Sequence, residues 1–353
     1  MSVKSNKIKI AFFDAKPYDI ETFNNLIPNY DVEIKYYKHL LDINTASLAK
    51  GADVICTFVN DKIDKNIIDF LVENEIPLVA QRSAGYNNID LKYARRKIHV
   101  VRVPAYSPNA VAEHALALMF TLNRKTHKAY NRTRDGNFSL VGLTGFDMKG
   151  KTIGIIGTGN IGKILAKTAL GIGMKVIAYD AFPDKKFEED TGLQYTSLSN
   201  LVKTSDIISL HCPLTKDTFH MIDEEAISSM KNRVMIINTS RGALIDTRAL
   251  INGLKTEKIG FAGLDVYEEE DKYFFEDFSD RIISDDQLAR LLTFKNVLIT
   301  SHQAFLTREA LDQIAITTLE NITGFFKNNI LKNEICYQCG APVCNKKVKG
   351  KCF

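Results

Sequence analysis

Residues 151–162 read Lys151-Thr-Ile-Gly-Ile-Ile-Gly157-Thr-Gly159-Asn-Ile-Gly162 and run on into an alanine- and leucine-rich stretch. A β-rich run, three glycines and a helical pattern, in that order, make a strand, a tight turn and a helix. Gly157 permits the turn, Gly159 lets the backbone approach a pyrophosphate, and Gly162 lets the helix pack close to the strand. The helix start adds free N–H groups and a partial positive charge, which suit phosphate. The next β-rich run, 174–179, ends at Asp180, where an acid can bind ribose hydroxyls. The same residues could make only a tight turn and a capped loop, but the strand–helix–strand context favours a dinucleotide site. Asp180 repels a 2′-phosphate and no arginine follows it in Ala181-Phe182-Pro183, so the pattern predicts NAD rather than NADP, with Lys185 and Lys186 weighing slightly the other way.

Working outward, strands are expected to end near Ile156, Tyr179, Leu210, Asn238, Leu264 and Ile299, with helical or turn material between each pair. Six such strands describe a doubly wound parallel sheet. The first hundred residues alternate in the same way, with strands expected at 9–14, 32–37, 53–58, 77–81 and 100–103. Ser107 and Pro108 supply an N-cap and a first-turn proline, and Val111, Ala115, Leu118, Met119 and Leu122 recur at helical spacing. That helix is expected to run on to Arg134, where Asp135-Gly136 stops it, and a helix over 309–326 returns the chain to the first domain. The reading is an α/β protein of two domains: a Rossmann domain, 106–302, inserted in a flavodoxin-like substrate domain made of 1–105 and 303–335, with a tail at 336–353 rich in cysteine and lysine.

A chain of 353 residues with 45% hydrophobic and 25% charged residues has the composition of a soluble globular protein and excludes a disordered or collagen-like chain. No apolar run reaches the about 18 residues of a membrane-spanning helix. The amino terminus passes from a short polar lead to Ile8, Ile10, Phe12 and Phe13 with no signal core, which predicts a cytoplasmic protein. Lys346, Lys347, Lys349 and Lys351 account for the net charge of +4; without them 42 basic residues face 42 acidic ones, which argues against nucleic acid as a partner. Cys56 and Cys212 lie in the body, too few for a disulfide framework. Cys336, Cys339, Cys344 and Cys352 crowd the tail, where they could wrap a zinc ion or remain free thiols.

In an open α/β sheet, ligands bind beyond the carboxyl ends of the strands. Those positions hold Asp180, then His211-Cys212-Pro213, Thr239-Ser240-Arg241, Asp265 and His302. Hydride transfer at a carbon requires a proton to move at the attached oxygen, a task suited to histidine. His302 follows a strand directly and is the leading candidate. His211 competes, and His114, inside a helix, reads as a packed or interdomain residue. One of the three glutamates after Tyr267 could pair with the imidazole and keep its proton available, while the other two read as a solvated acidic loop. Arg241 can grip a carboxylate in two-pronged fashion and polarise an adjacent carbonyl, or form an interdomain salt bridge. Arginine, histidine and a nicotinamide site together point to a 2-keto acid.

Gly157 to Gly162, Asn238-Thr-Ser-Arg241-Gly-Ala-Leu-Ile-Asp246, Gly263-Leu-Asp265-Val-Tyr-Glu and Ser301-His302-Gln-Ala-Phe305 together resemble the NAD-dependent D-2-hydroxyacid dehydrogenases over residues 7–334. Phe58-Val-Asn-Asp61, Val103-Pro-Ala-Tyr106, Leu143-Thr-Gly-Phe146 and Phe274-Phe-Glu-Asp277 resemble the bacterial fermentative D-lactate dehydrogenases in particular. The resemblance implies reduction of pyruvate to D-lactate, with Arg241 on the substrate carboxylate and carbonyl, His302 as acid/base and Glu270 as its partner. It implies cofactor contacts from Asn160, Ile161, Asp180, Cys212, Pro213, Thr239, Ser240 and Asp265, substrate contacts from backbone N–H groups at Ala84 and Gly85, and pocket walls from Tyr106 and Phe305. A larger 2-keto acid as substrate, or an NAD-sensing protein on the same fold, are the alternatives, and a symmetric homo-oligomer is the expected assembly.

Overall fold

Strands of a parallel sheet covered by helices are buried on both faces and read as continuous apolar runs. The computed structural model, which describes residues 7–337, 346 and 350–353, forms its first such strands as β1 (Ile8–Phe12), β2 (Val32–Tyr36), β3 (Val54–Thr57), β4 (Leu78–Gln81) and β5 (His99–Arg102). Between them lie α1 (Pro17–Leu26), α2 (Lys65–Glu73) and α3 (Leu91–Ala94). The strands are all parallel, in the order β2-β1-β3-β4-β5, and every residue of β3 and β4 is buried.

The second series opens with α4 (Pro108–Arg124) and α5 (Thr126–Arg134). It continues through β6 (Thr152–Ile156), α6 (Asn160–Gly171), β7 (Lys175–Tyr179), α7 (Lys185–Thr191), β8 (Gln194–Tyr195), α8 (Leu198–Thr204) and β9 (Ile207–Leu210). After these come α9 (Glu224–Ser229), β10 (Val234–Asn238), α10 (Thr247–Lys255), β11 (Ile259–Leu264), α11 (Asp286–Thr293) and β12 (Val297–Ile299). The sheet order is β12-β11-β10-β9-β6-β7-β8, again all parallel. From β6 the chain winds outward to β8, then returns to β9 and winds the other way, so the switch of direction falls between β6 and β9. Each face of this sheet carries its own apolar layer, one around Leu118, Leu165 and Ala169, the other around Leu201, Leu250 and Leu291.

Two expectations need correction. The sheet has seven strands rather than six, because β8 contributes two residues at the edge, too few to make a pattern. The helix expected to run from Pro108 to Arg134 is broken at Lys125, whose backbone is left-handed at φ +51°. The Lys125 ammonium donates to the carbonyls of Gly142 and Thr144, a contact from 17 residues or more downstream that no local signal announces.

The chain divides into two compact units, one made of residues up to Ser107 and from Leu306 onward, the other of Pro108–Phe305. In the first, Thr307 caps α12 (Arg308–Asn328), which buries Ala315, Leu319 and Ile322 beside Phe12 and Phe23. The chain then pairs along the free edge of β5, with Ile335 N–H donating to Val100 and Glu334 bridging to Val101. Glu334 is buried and meets His99 Nδ1 at 2.8 Å. The four-thiolate reading of the tail falls partly on Cys339 and Cys344, which lie outside the described residues; among the described residues no group of histidines, cysteines and acids could hold a metal. No described helix is long and apolar enough to cross a membrane.

Candidate active site

The turn after β6 is compressed against the turn after β9. Gly157 sits at φ +94°, and a Cβ there would lie 2.7 Å from backbone atoms of His211 and Cys212. At Gly162 a Cβ would lie 2.0 Å from the Gly157 carbonyl oxygen, so only glycine lets α6 start this close to the strand. Gly159, by contrast, faces open space and is the N-cap of α6 with no side-chain cap. The first-turn N–H groups at Asn160, Ile161 and Gly162 have no intrahelical partner and are offered to an anion. Asp180, at the end of β7, is drawn over this turn: its Oδ2 accepts from Thr158 N–H at 2.6 Å and from the Thr158 hydroxyl at 3.0 Å, and its Oδ1 from Phe182 N–H at 2.9 Å. An open cradle at a helix start, with a carboxylate fixed beside it, fits a dinucleotide.

Beyond β9 and β10 the backbone turns are tied together. The Ser240 hydroxyl donates to the Cys212 carbonyl at 2.7 Å, and Asn238 supports both Ser240 N–H and the Arg241 carbonyl. Thr239 Oγ1 is buried without a hydrogen-bond partner, a polar atom left for a ligand. Burial pushes the Cys212 thiol up to about 11, so it is protonated and no nucleophile at neutral pH; Pro213 is exposed beside it. His211 shares a hydrogen bond with Ser209 Oγ, 2.8 Å away, and burial pushes it down to about 4, so it is neutral; unlike His302, it has no carboxylate partner among the described residues. Arg241 is half-buried; its Nη1 donates to the Ser240 carbonyl at 2.6 Å, and among the described residues it has no carboxylate partner.

The ends of β11 and β12 hold the titratable centre. His302 Nδ1 lies 2.7 Å from Glu270 Oε1, whose other oxygen accepts from Tyr267 N–H at 2.9 Å. The backbone at His302 is left-handed, φ +49°, with its N–H shared between the Asp265 and Thr300 carbonyls. Asp265 is fully buried and organises this turn: its carboxylate accepts from Thr300 Oγ1 at 2.6 Å and from Gln303 and Ala304 N–H at 2.9 Å. Burial works to raise the Asp265 carboxyl, but the bonds from His114, Thr300 and Ala304 outweigh it and hold it below the usual carboxylate range.

His114, expected to be a packed or interdomain residue, has polar partners within its own unit. It meets Thr300 Oγ1 at 3.0 Å and Asp265 at 3.3 Å, placing it behind the acid that shapes the His302 turn. The acidic loop is also less solvated than expected. Glu269 is exposed, but Glu268 meets His220 at 2.6 Å and accepts from the Thr247 hydroxyl at 2.8 Å.

Ala84, Gly85 and Tyr106 belong to the first unit, after β4 and β5. The Ala84 carbonyl accepts from Arg102 at 2.6 Å and the Gly85 carbonyl from Ser83 Oγ at 2.7 Å, so this loop is held through its carbonyls. Phe305 is buried at the end of the second unit.

Known proteins match this chain in sequence and fold. Residues 116–304 match the D-isomer specific 2-hydroxyacid dehydrogenase, NAD binding domain. D-lactate dehydrogenase of Escherichia coli is 47% identical over 93% of this chain and 100% of its own length. Its apo-structure superposes with a TM-score of 0.86 over 93% of this chain and 100% of that one. The pyruvate reductase of Chlamydomonas reinhardtii, 42% identical, superposes with a TM-score of 0.89 over 94% of this chain and 100% of that one. The glycine turn, the fixed Asp180 and the strand-end dyad thus sit in a chain that belongs, on sequence and fold alike, to the D-isomer specific 2-hydroxyacid dehydrogenases, which are NAD-dependent oxidoreductases.

Proposed function

We propose that this protein reduces pyruvate to D-lactate with NADH, and that Arg241, Glu270 and His302 carry the reaction. The observation behind it is the contrast between the ends of β12 and β10: an imidazole already paired with Glu270, and a guanidinium that has no acid among the described residues. Relatives named D-lactate dehydrogenase and pyruvate reductase support the substrate. When bound, the nicotinamide supplies a hydride to the substrate carbon. Glu270 occupies Nδ1 of His302, which leaves Nε2 to hold the proton that passes to the carbonyl oxygen. Arg241, anchored through one Nη1 bond, keeps the rest of its planar fork for the substrate carboxylate and carbonyl. The family resemblance implies substrate contacts from backbone N–H groups at Ala84 and Gly85, and pocket walls from Tyr106 and Phe305.

Gly157, Gly159, Asn160, Ile161 and Gly162 are assigned to the pyrophosphate, Asp180 to the ribose, and Cys212, Pro213, Thr239, Ser240 and Asp265 to the nicotinamide end. On this reading residues 106–302 form the nucleotide domain and 1–105 with 303–335 the substrate domain, within three residues of the boundaries of the two compact units. Free Cys56 and Cys212 suit a reducing cytoplasm, and a symmetric homo-oligomer is the expected assembly, readable by light scattering. The test is NADH oxidation by the purified protein with pyruvate, with a branched and an aromatic 2-keto acid in parallel, followed by chiral analysis of the product. Fastest turnover of pyruvate to the D-isomer supports the proposal. A larger acid preferred by kcat/KM moves the substrate, and NAD binding without turnover of any of them removes the enzymatic reading.

A further inference from the structure

The opposite end of the seven-stranded sheet carries a second, unassigned feature. Arg233, Ile259 and Asn296 stand at or just before the starts of β10, β11 and β12, and with the carboxyl end of α4 and with α5 they line a cavity of about 770 Å³. That volume is in the range of small-molecule sites. Lys125, Lys128, Arg132, Lys255, Arg290 and Lys295 line it, and among the described residues none has a carboxylate partner. One acid lines the cavity, Glu257, and it is taken by Arg233 at 2.6 Å.

Four of these six cations are held in place, while Lys255 and Lys295 are exposed at the rim. Lys125 is held by the Gly142 and Thr144 carbonyls at 2.8 and 3.0 Å, Arg132 by the Val141 carbonyl at 2.7 Å, Lys128 by the Lys295 carbonyl, and the Arg290 guanidinium lies over the Phe294 ring. Carbonyls orient a cation without cancelling its charge, so the cavity keeps a concentrated positive potential. Burial, and after it the charges of Lys125, Lys295 and Arg132, hold the Lys128 ammonium below the usual lysine range. The rest of the chain makes this stand out, since outside the tail lysines acids and bases balance 42 to 42.

We infer that this cavity is a binding site for a small polyanion of the oligophosphate class, separate from the glycine turn that serves the cofactor. Several closely spaced charges on one compact ligand match several fixed cations round one cavity, whereas a single-charge anion would leave most of them unpaired. The site lies at the amino ends of β10 to β12, and the candidate catalytic groups at the carboxyl ends of the same strands.

The test uses inorganic tripolyphosphate, with NAD present at saturation so that the glycine turn is filled. Thermal unfolding is compared in tripolyphosphate and in sodium chloride of equal ionic strength. Three variants are measured beside the native protein: the double variant Lys128→Gln/Lys295→Gln, the exposed single variant Arg290→Gln, and Lys50→Gln/Lys92→Gln, which removes two exposed lysines of the first unit. The inference expects tripolyphosphate to raise the melting temperature by ~5 °C or more at roughly a hundredfold excess over Kd. That rise should persist in Lys50→Gln/Lys92→Gln, shrink in Arg290→Gln and vanish in Lys128→Gln/Lys295→Gln. Titration calorimetry on the native protein, independent of any variant, should give one site per chain. An equal shift in sodium chloride, a response that survives both cavity variants, or no binding by calorimetry overturns it.

Discussion

Each sheet carries an arginine just beyond the carboxyl end of a strand, and the two have opposite surroundings. Arg82, after β4, is 1% exposed; it donates to the Asp14 carbonyl at 2.6 Å, stands 3.5 Å from Asp19, and lies over the rings of Phe12 and Phe58 at 4.4 and 4.9 Å. Burial works against its charge, but Asp19, Asp61 and Asp14 hold the guanidinium above its ordinary value. Arg241, after β10, is half-buried and bonded to its own neighbour's carbonyl. Strand-end position is therefore common to both, and compensation separates them. An arginine already surrounded by acids holds a fold together, while one held in place but left without an acid is ready for a ligand.

The largest effect is expected from Arg82→Met, which leaves Asp14, Asp19 and Asp61 without their buried cation and should cost ~3–5 kcal/mol of stability, read by chemical denaturation. If its unfolding midpoint matched the native protein, buried compensation would not be what Arg82 supplies. Next comes His302→Gln, which should lower kcat for pyruvate on the order of a hundredfold while leaving the melting temperature close to native. A variant that keeps native kcat would take the proton transfer away from His302.

The smallest effect concerns Asp61, which burial pushes up to about 7 even though the Arg82 charge and the N–H groups of Leu41 and Phe58 pull it back. Its folded value lies above its unfolded one, so between about pH 4 and pH 7 the folded state binds more protons than the unfolded chain. Stability from this group is thus present at low pH and lost as the pH rises toward 7. Asp61→Asn should flatten that part of the stability profile, and an unchanged slope would contradict the assignment.

How much of this could be read in advance differs residue by residue. Most strands were legible because inner parallel strands such as β3, β6, β9 and β10 are continuous apolar runs closed by a turn signal, whereas β8, two residues at the edge, gave no pattern. What escaped was set by partners distant in the chain. His114 and Asp265 stand 151 positions apart, Glu268 and His220 48 apart, and nothing local marks either pair. Arg82 carries no motif, so its role emerged only once Asp14, Asp19 and Asp61 were brought round it. Glu270 was separated from its two neighbouring glutamates by family resemblance alone, and the 2.7 Å contact with His302 now gives the physical reason.

On the proposed reading Arg241 serves the substrate, whereas Arg82 is committed to structure. Arg241→Lys tests it most directly when kcat/KM for pyruvate and thermal unfolding are measured on the same preparation. Lysine keeps the charge and loses the planar fork, so kcat/KM should fall roughly tenfold to a hundredfold, with a raised KM and a lowered kcat, at a melting temperature within ~2 °C of native. Native kcat/KM would take Arg241 out of substrate binding, and a loss of activity that tracks a collapse in melting temperature would make it a structural arginine like Arg82.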